Sequence, residues 1–121
     1  MRALVIDDSR AMRTILTRTM GGLGFEVEAV EDGAKALIAV QRGPLPDVCL
    51  IDWNMPVMNG LEFIMEVRKN LEWRDITLMM VTTEAEQANI VRALAAGAHE
   101  YVIKPFTSDI IGDKLAMLGL L

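Results

Sequence analysis

The chain has 121 residues, 52% apolar and 24% charged, with a net charge of −5. That describes one globular domain, and too acidic a one to hold a nucleic-acid backbone, which needs clustered Lys and Arg. A single cysteine, Cys49, excludes an internal disulfide, and the N-terminal apolar stretch is too short for a signal sequence or a membrane span. The expectation is a cytoplasmic domain over 1–121, with no nucleic acid and no membrane among its partners.

In chain order, the first element is the apolar run Ala3–Ile6, followed at once by Asp7 and Asp8. Ser9 reads as the N-cap of a helix in which Met12, Ile15, Leu16, Met20 and Leu23 recur at i, i+3, i+4 spacing. Gly21-Gly22 costs about 1 kcal/mol per glycine relative to alanine and is expected to fray the end of that helix. Phe25–Val30 alternates apolar residues with Glu26 and Glu28, as an edge strand with one wetter face does. After an Asp32-Gly33 turn, Leu37 and Ile38 anchor a second helix. Val48–Ile51 is continuously apolar, so Cys49 reads as an inert core thiol, and the run ends on Asp52.

Asn59 and Gly60 open a third helix with the stripe Phe63, Ile64, Val67 and Leu71. Ile76–Val81 is the fourth apolar run, followed by Thr82, Thr83 and Glu84. Ala85–Ala96 reads as an alanine-rich helix with only Ile90, Val91 and Leu94 as large anchors, a weak packer. Tyr101–Ile103 leads to Lys104-Pro105, and a last helix from about Ser108 carries Ile111, Leu115 and Leu118. Five strands, each followed by a helix, require a parallel sheet covered on both faces, a doubly wound α/β domain. Such sheets bind ligands at the carboxyl ends of their strands.

The strand ends therefore carry the chemistry. Asp7, Asp8 and Asp52 would converge there, and at about 4–5 Å with an effective dielectric near 20 each carboxylate pair costs about 3–4 kcal/mol. A bound divalent cation turns that repulsion into coordination, and an oxygen-only donor set selects a hard ion, Mg²⁺ before others. Lys104 adds positive charge opposite the acids, and Thr82 offers a hydroxyl to a tetrahedral anion. With metal and lysine spreading the transferring charge, Asp52 can accept a phosphoryl group. Plainer roles compete residue by residue: Asp8 as a helix cap, Thr82 as the N-cap of the fourth helix, Trp53 as a partly exposed neighbour of the site, His99 as a structural side chain.

Taken in order, "VIDDSRAMR", "DWNMP", "MVTTE" and "YVIKPF" resemble the receiver domains of two-component response regulators, most closely the stand-alone chemotaxis regulators. The resemblance spans essentially the whole chain. It implies a flavodoxin-like fold of five parallel strands in the order 2-1-3-4-5 with five helices. It also implies Asp52 as phosphoacceptor, Asp8 as a direct Mg²⁺ ligand, Asp7 acting mainly through water, and Asn54 lending its backbone carbonyl. Thr82 and Lys104 would bind the phosphoryl group, Tyr101 would change rotamer on activation, and Lys104-Pro105 would be cis. Asn54 and Glu84 flank the pocket and are expected to tune hydrolysis towards a lifetime of seconds to minutes. Thr83 is bulkier than the residue usual there and is expected to hinder Tyr101.

By the same resemblance the partners would be a sensor histidine kinase or phosphotransfer protein and an output protein such as the flagellar motor switch, met by a monomer. The protein would be no enzyme on external substrates, although it assists its own phosphorylation and dephosphorylation. The alternatives are a receiver module of a larger regulator, hybrid kinase or phosphorelay, or a phosphate sink without output. Other phosphate chemistries fit less well: a haloacid-dehalogenase phosphatase wants an acid where Asn54 stands, a flavodoxin wants anion-binding hydroxyls where Asp7 and Asp8 stand, and no P-loop is present.

Overall fold

A computed structural model describes residues 1–121. Five parallel strands, β1 (Arg2–Ile6), β2 (Glu26–Val30), β3 (Val48–Ile51), β4 (Thr77–Thr82) and β5 (Glu100–Ile103), alternate with α1 (Arg10–Gly22), α2 (Gly33–Arg42), α3 (Gly60–Lys69), α4 (Gln87–Ala96) and α5 (Ser108–Met117). The sheet order is β2-β1-β3-β4-β5, the flavodoxin-like arrangement expected. No helix is long and apolar enough to cross a membrane.

Strand alternation divides the apolar residues into two cores. Leu4, Ile6, Cys49, Ile51, Leu78 and Met80 face α2, α3 and α4, where Phe63, Ile64 and Val67 fill the space. Ala3, Val5, Val48, Leu50, Met79 and Val81 face the other way, onto Leu16 and Met20 of α1 and Ile111 and Leu115 of α5. Both faces are covered, which is why the central strands are unbroken apolar runs. The edge strand β2 is the exception, with Glu26 and Ala29 exposed.

Several helices bury different residues from those expected. In α2 the core face is Gly33, Ala36, Ala39 and Val40, whereas Ile38 is 62% exposed and Leu37 only packs at the margin. Small side chains let the helix lie close against β1, and the larger ones are displaced to the flank. Ile15 of α1 is likewise outside the buried set of Leu16 and Met20. Helix α3 stops at Lys69, so Leu71 falls in a 3₁₀ turn, Leu71–Trp73, and is 75% exposed.

Helix α4 begins at Gln87 rather than Ala85 and buries only Ala93; Val91 and Leu94 are exposed. The weak packing expected of it holds, and of its three expected anchors only Ile90 is half-buried. The Gly21-Gly22 pair lies within α1: both residues are helical, and Leu23 caps the end through N–H bonds to the Thr19, Met20 and Gly21 carbonyls. Leu118 lies just past α5, as its C-cap.

Candidate functional site

The strand order reverses between β1 and β3, and the carboxyl ends of strands at such a switch point are where open α/β sheets bind their ligands. Register fixes what stands there. Ile6 pairs with Ile51, and the next backbone bond, Asp52 N–H to the Ile6 carbonyl at 2.9 Å, holds Asp52 beside Asp7. Carboxylate oxygens of Asp7, Asp8 and Asp52 all lie within 4.8 Å of one another. Asp7 is 1% exposed and Asp52 8%, while Asp8 is open to solvent.

Each acid has a different environment. Asp7 is fully engaged: Oδ1 accepts from the Ser9 N–H at 2.9 Å, and Oδ2 accepts from Lys104 Nζ at 2.7 Å. Arg13 Nη1 donates to its backbone carbonyl at 2.8 Å. The same ammonium stands 3.8 Å from Asp52 Oδ2, so Lys104 bridges the two buried acids. It reaches them from β5, which is held against β4 by the Lys104 N–H bond to the Thr82 carbonyl. Lys104-Pro105 is cis, as is Gly43-Pro44, which sequence reasoning did not foresee.

Burial pushes the Asp52 carboxyl above the usual carboxylate range and the charge of Asp7 adds to that; the Thr82 hydroxyl, Lys104 and the Trp53 backbone pull the other way. Thr82 is fully buried, and its oxygen accepts from the Trp53 N–H at 3.3 Å and the Glu84 N–H at 3.2 Å. Those bonds pin it to the pocket wall. It does not cap α4, whose N-cap position is Glu86 with no side-chain bond. Asp8 does not cap α1 either; Ser9 does, accepting from the Met12 N–H.

Two of the expected neighbours have partners other than the acids. Glu84 Oε1 accepts from the Glu86 N–H at 3.0 Å and from Asn89 Nδ2 at 3.2 Å, tying that carboxylate to the start of α4. Tyr101 packs against the α2–α4 core and donates its hydroxyl to the Glu84 carbonyl at 2.6 Å. Burial, then the charges of Glu84 and Asp52, push its phenol up to about 12. Thr83 is exposed and does not keep the ring from that contact. Asn54 stands exposed on the loop two residues past Asp52.

Trp53 is not a partly exposed neighbour but a member of the core, 8% exposed. Cys49 is buried, and desolvation raises its thiol far above the range in which it ionises.

Sequence reasoning missed two residues here. Gly60, the first residue of α3, lies so close to Asp52 that a β-carbon would sit 2.3 Å from the Asp52 carbonyl oxygen, so only glycine lets α3 start directly beneath the acid. Arg13 lies on the first turn of α1, close enough for its long side chain to reach back to Asp7. Its position six residues after that acid is the only trace of this in the sequence.

A doubly wound sheet with three aspartates and a bridging lysine at its switch point is a response regulator receiver architecture, and the response regulator receiver domain model matches residues 3–116. The chain belongs to that family. It is 39% identical over 119 residues to the chemotaxis protein CheY1 of Helicobacter pylori, covering 98% of this chain and 96% of that one. It is 40% identical over 116 residues to a chemotaxis protein CheY homolog of Campylobacter jejuni, covering 95% and 89%. Among solved structures, the chemotaxis response regulator CheY4 of Vibrio cholerae superposes with a TM-score of 0.89 at 33% identity, over 97% of both chains.

Proposed function

We propose that this chain is a stand-alone, monomeric, cytoplasmic response regulator that accepts a phosphoryl group on Asp52 from a histidine kinase or phosphotransfer protein. In this reading it signals through its α4–β5–α5 face to an output protein, in chemotaxis the flagellar switch. The observation that carries the proposal is the bridging of Asp7 and Asp52 by Lys104 within a cluster of three carboxylates. The relatives named above, chemotaxis regulators of similar length, support the assignment to chemotaxis.

The donor set fits a hard cation. All its oxygens come from carboxylates and backbone, and Mg²⁺ bound there would spread negative charge during transfer. Both oxygens of Asp7 already have protein partners, which suits a role through water. Asp8 is exposed, which suits direct ligation, with Asp52 and the Asn54 carbonyl completing the set.

In the transfer, an Asp52 oxygen forms the new O–P bond as the P–N bond to the donor imidazole breaks, and that nitrogen keeps the electron pair. Lys104 and Thr82 would hold the phosphoryl oxygens. Thr82 would give up its present bonds to do so, and that movement would bias Tyr101 and the loosely packed α4. Asn54 and Glu84 would set the hydrolysis rate; Glu84 must first release the α4 N-terminus.

The test is acetyl phosphate labelling of the full chain with Mg²⁺. One acid-stable, base-labile phosphoryl per chain is expected, absent without Mg²⁺ and absent in Asp52→Asn. Labelling that persists in Asp52→Asn overturns the proposal. Quenching of Trp53, which adjoins the acceptor, follows the metal and the phosphodonor in a Trp73→Phe background. Phosphate-dependent pull-down of flagellar switch proteins, rather than of phosphotransfer domains alone, separates the stand-alone regulator from a relay module or phosphate sink.

A further inference from the structure

Beside the acid pocket, the outer flank of α1 carries a charged feature that, the Arg13 bond to Asp7 aside, has no part in the reading above. Arg10, Arg13, Thr14, Thr17 and Arg18 recur at i, i+3, i+4, i+7 and i+8, one stripe beside the buried Leu16 and Met20. Together with Ala29 of β2 they line an open groove of about 380 Å³.

The floor is low because Ala29, on the edge strand, has only a methyl group to offer. No carboxylate lines the groove. Helix α1 has no acidic residue, and strand alternation sends Glu26 and Glu28 to the opposite face of β2, where they pair with Arg2 and Arg42. In a chain of net charge −5, three guanidinium groups thus share one groove, and none of them is in an ion pair. Like charges this close on a helix repel one another, and an anion between them removes that repulsion.

We propose that the α1–β2 groove binds a polyphosphate anion. Guanidinium groups match phosphate oxygens in pairs of parallel hydrogen bonds. Arg13 is already anchored through Nη1 to the Asp7 carbonyl, which fixes its plane and leaves its other N–H groups available. Arg10 and Arg18 are eight residues apart, about 12 Å along the axis. A lone orthophosphate is too short to engage both, whereas a chain of linked phosphates is not. The same chemistry is offered by inorganic tripolyphosphate and by the triphosphate of a nucleotide. Apart from Arg13, which touches only the backbone carbonyl of Asp7, the groove contains none of the acceptor-pocket residues, so the proposal stands or falls apart from the phosphoacceptor reading.

The test is a titration of the isotopically labelled full chain in metal-free buffer with tripolyphosphate, ATP, orthophosphate and hexaglutamate, followed by amide chemical shifts and calorimetry. Tripolyphosphate should shift Arg10 to Arg18 and Ala29 and bind at least about tenfold more tightly than orthophosphate or hexaglutamate. The double variant Arg10→Glu/Arg18→Glu should weaken it by about tenfold or more; Arg10→Gln/Arg18→Gln serves if charge reversal perturbs the fold. Arg92→Glu on α4 should change affinity by less than about twofold. ATP binding tighter than tripolyphosphate supports a nucleotide ligand, and equal binding supports the phosphate chain itself. Shifts confined to the surroundings of Asp52 and Lys104, hexaglutamate binding as tightly as tripolyphosphate, or an unaffected double variant would overturn the proposal.

Discussion

Asp52 illustrates how one residue can carry a cost that the rest of the domain must absorb. Its carboxylate is held in a buried pocket beside Asp7, and burial raises its pKa. A folded-state pKa above the unfolded value means that the ionised acid destabilises the fold at neutral pH, and that this penalty fades as pH falls through the folded pKa. Asp52→Asn removes the charge and keeps the shape. In metal-free buffer at pH 7 it should melt about 2–6 °C above the wild type, and the gap should shrink when Mg²⁺ is added; calorimetry at both conditions checks it. Gly60 is constrained in the opposite sense. A β-carbon 2.3 Å from the Asp52 carbonyl oxygen has nowhere to go, because the obstacle is backbone rather than a flexible side chain. Gly60→Ala should cost about 1–3 kcal/mol in urea unfolding, as overpacking does, and, on the proposed function, should displace the loop after β3 enough to slow acetyl phosphate labelling.

Two neighbouring helices of equal length are anchored very differently. Helix α3 opens with a reciprocal capping box, in which Asn59 Oδ1 accepts from the Glu62 N–H and Glu62 returns the bond to the Asn59 N–H. It buries Phe63, Ile64 and Val67 completely. Helix α4 has no side-chain cap and buries only Ala93. Propensity is not the difference, since α4 is rich in alanine; helical stability in a domain comes mainly from tertiary packing and caps. Native-state amide exchange should therefore be fastest in α4 among the helices between strands, and at least about tenfold faster than in α3. Glu86→Asp, which supplies a shorter carboxylate at the N-cap, should slow exchange in α4 alone. Equal protection of the two helices would remove the basis for assigning the switch to α4.

Over the whole molecule, the two ends of the sheet are specialised. The carboxyl end holds the repelling acids; the amino end is tied by Arg68, whose guanidinium donates to the carbonyls of Ile76 at 2.9 Å and Gly97 at 3.2 Å, joining α3, the approach to β4 and the end of α4. Beside it, His99 Nδ1 accepts from the Leu78 N–H at 3.1 Å, a bond that requires an unprotonated nitrogen. Burial and the charge of Arg68 lower the pKa of His99 below its usual 6.5. The unfolded chain thus takes up a proton more readily, so stability is full above about pH 6.5 and declines as pH falls from there towards the folded pKa. His99→Gln keeps an acceptor but cannot titrate. Its melting temperature should lose the part of the pH dependence between pH 7 and 5.5 that the wild type shows, and identical slopes would assign that dependence elsewhere.

Much of this was legible before any coordinates. Strands buried on both faces must be apolar throughout, so the central strands announced themselves, and charged residues directly after them could only stand at the rim. Asp7, Asp8, Asp52 and Lys104 were readable for that reason, as was the cap at Ser9, because capping is a local bond. What the chain did not reveal is which side of each helix faces inward when small residues do the packing. Ala36, Ala39 and Ala93 turned inward while Ile38 and Val91 turned out, since periodicity records hydrophobicity and the distance between a helix and its sheet is set by volume. The reach of Arg68 to a carbonyl 29 residues away, the closeness of α3 to Asp52, and the groove under α1 were likewise decided only by tertiary structure. Each depends on where separate elements stand in space, and no local pattern encodes that.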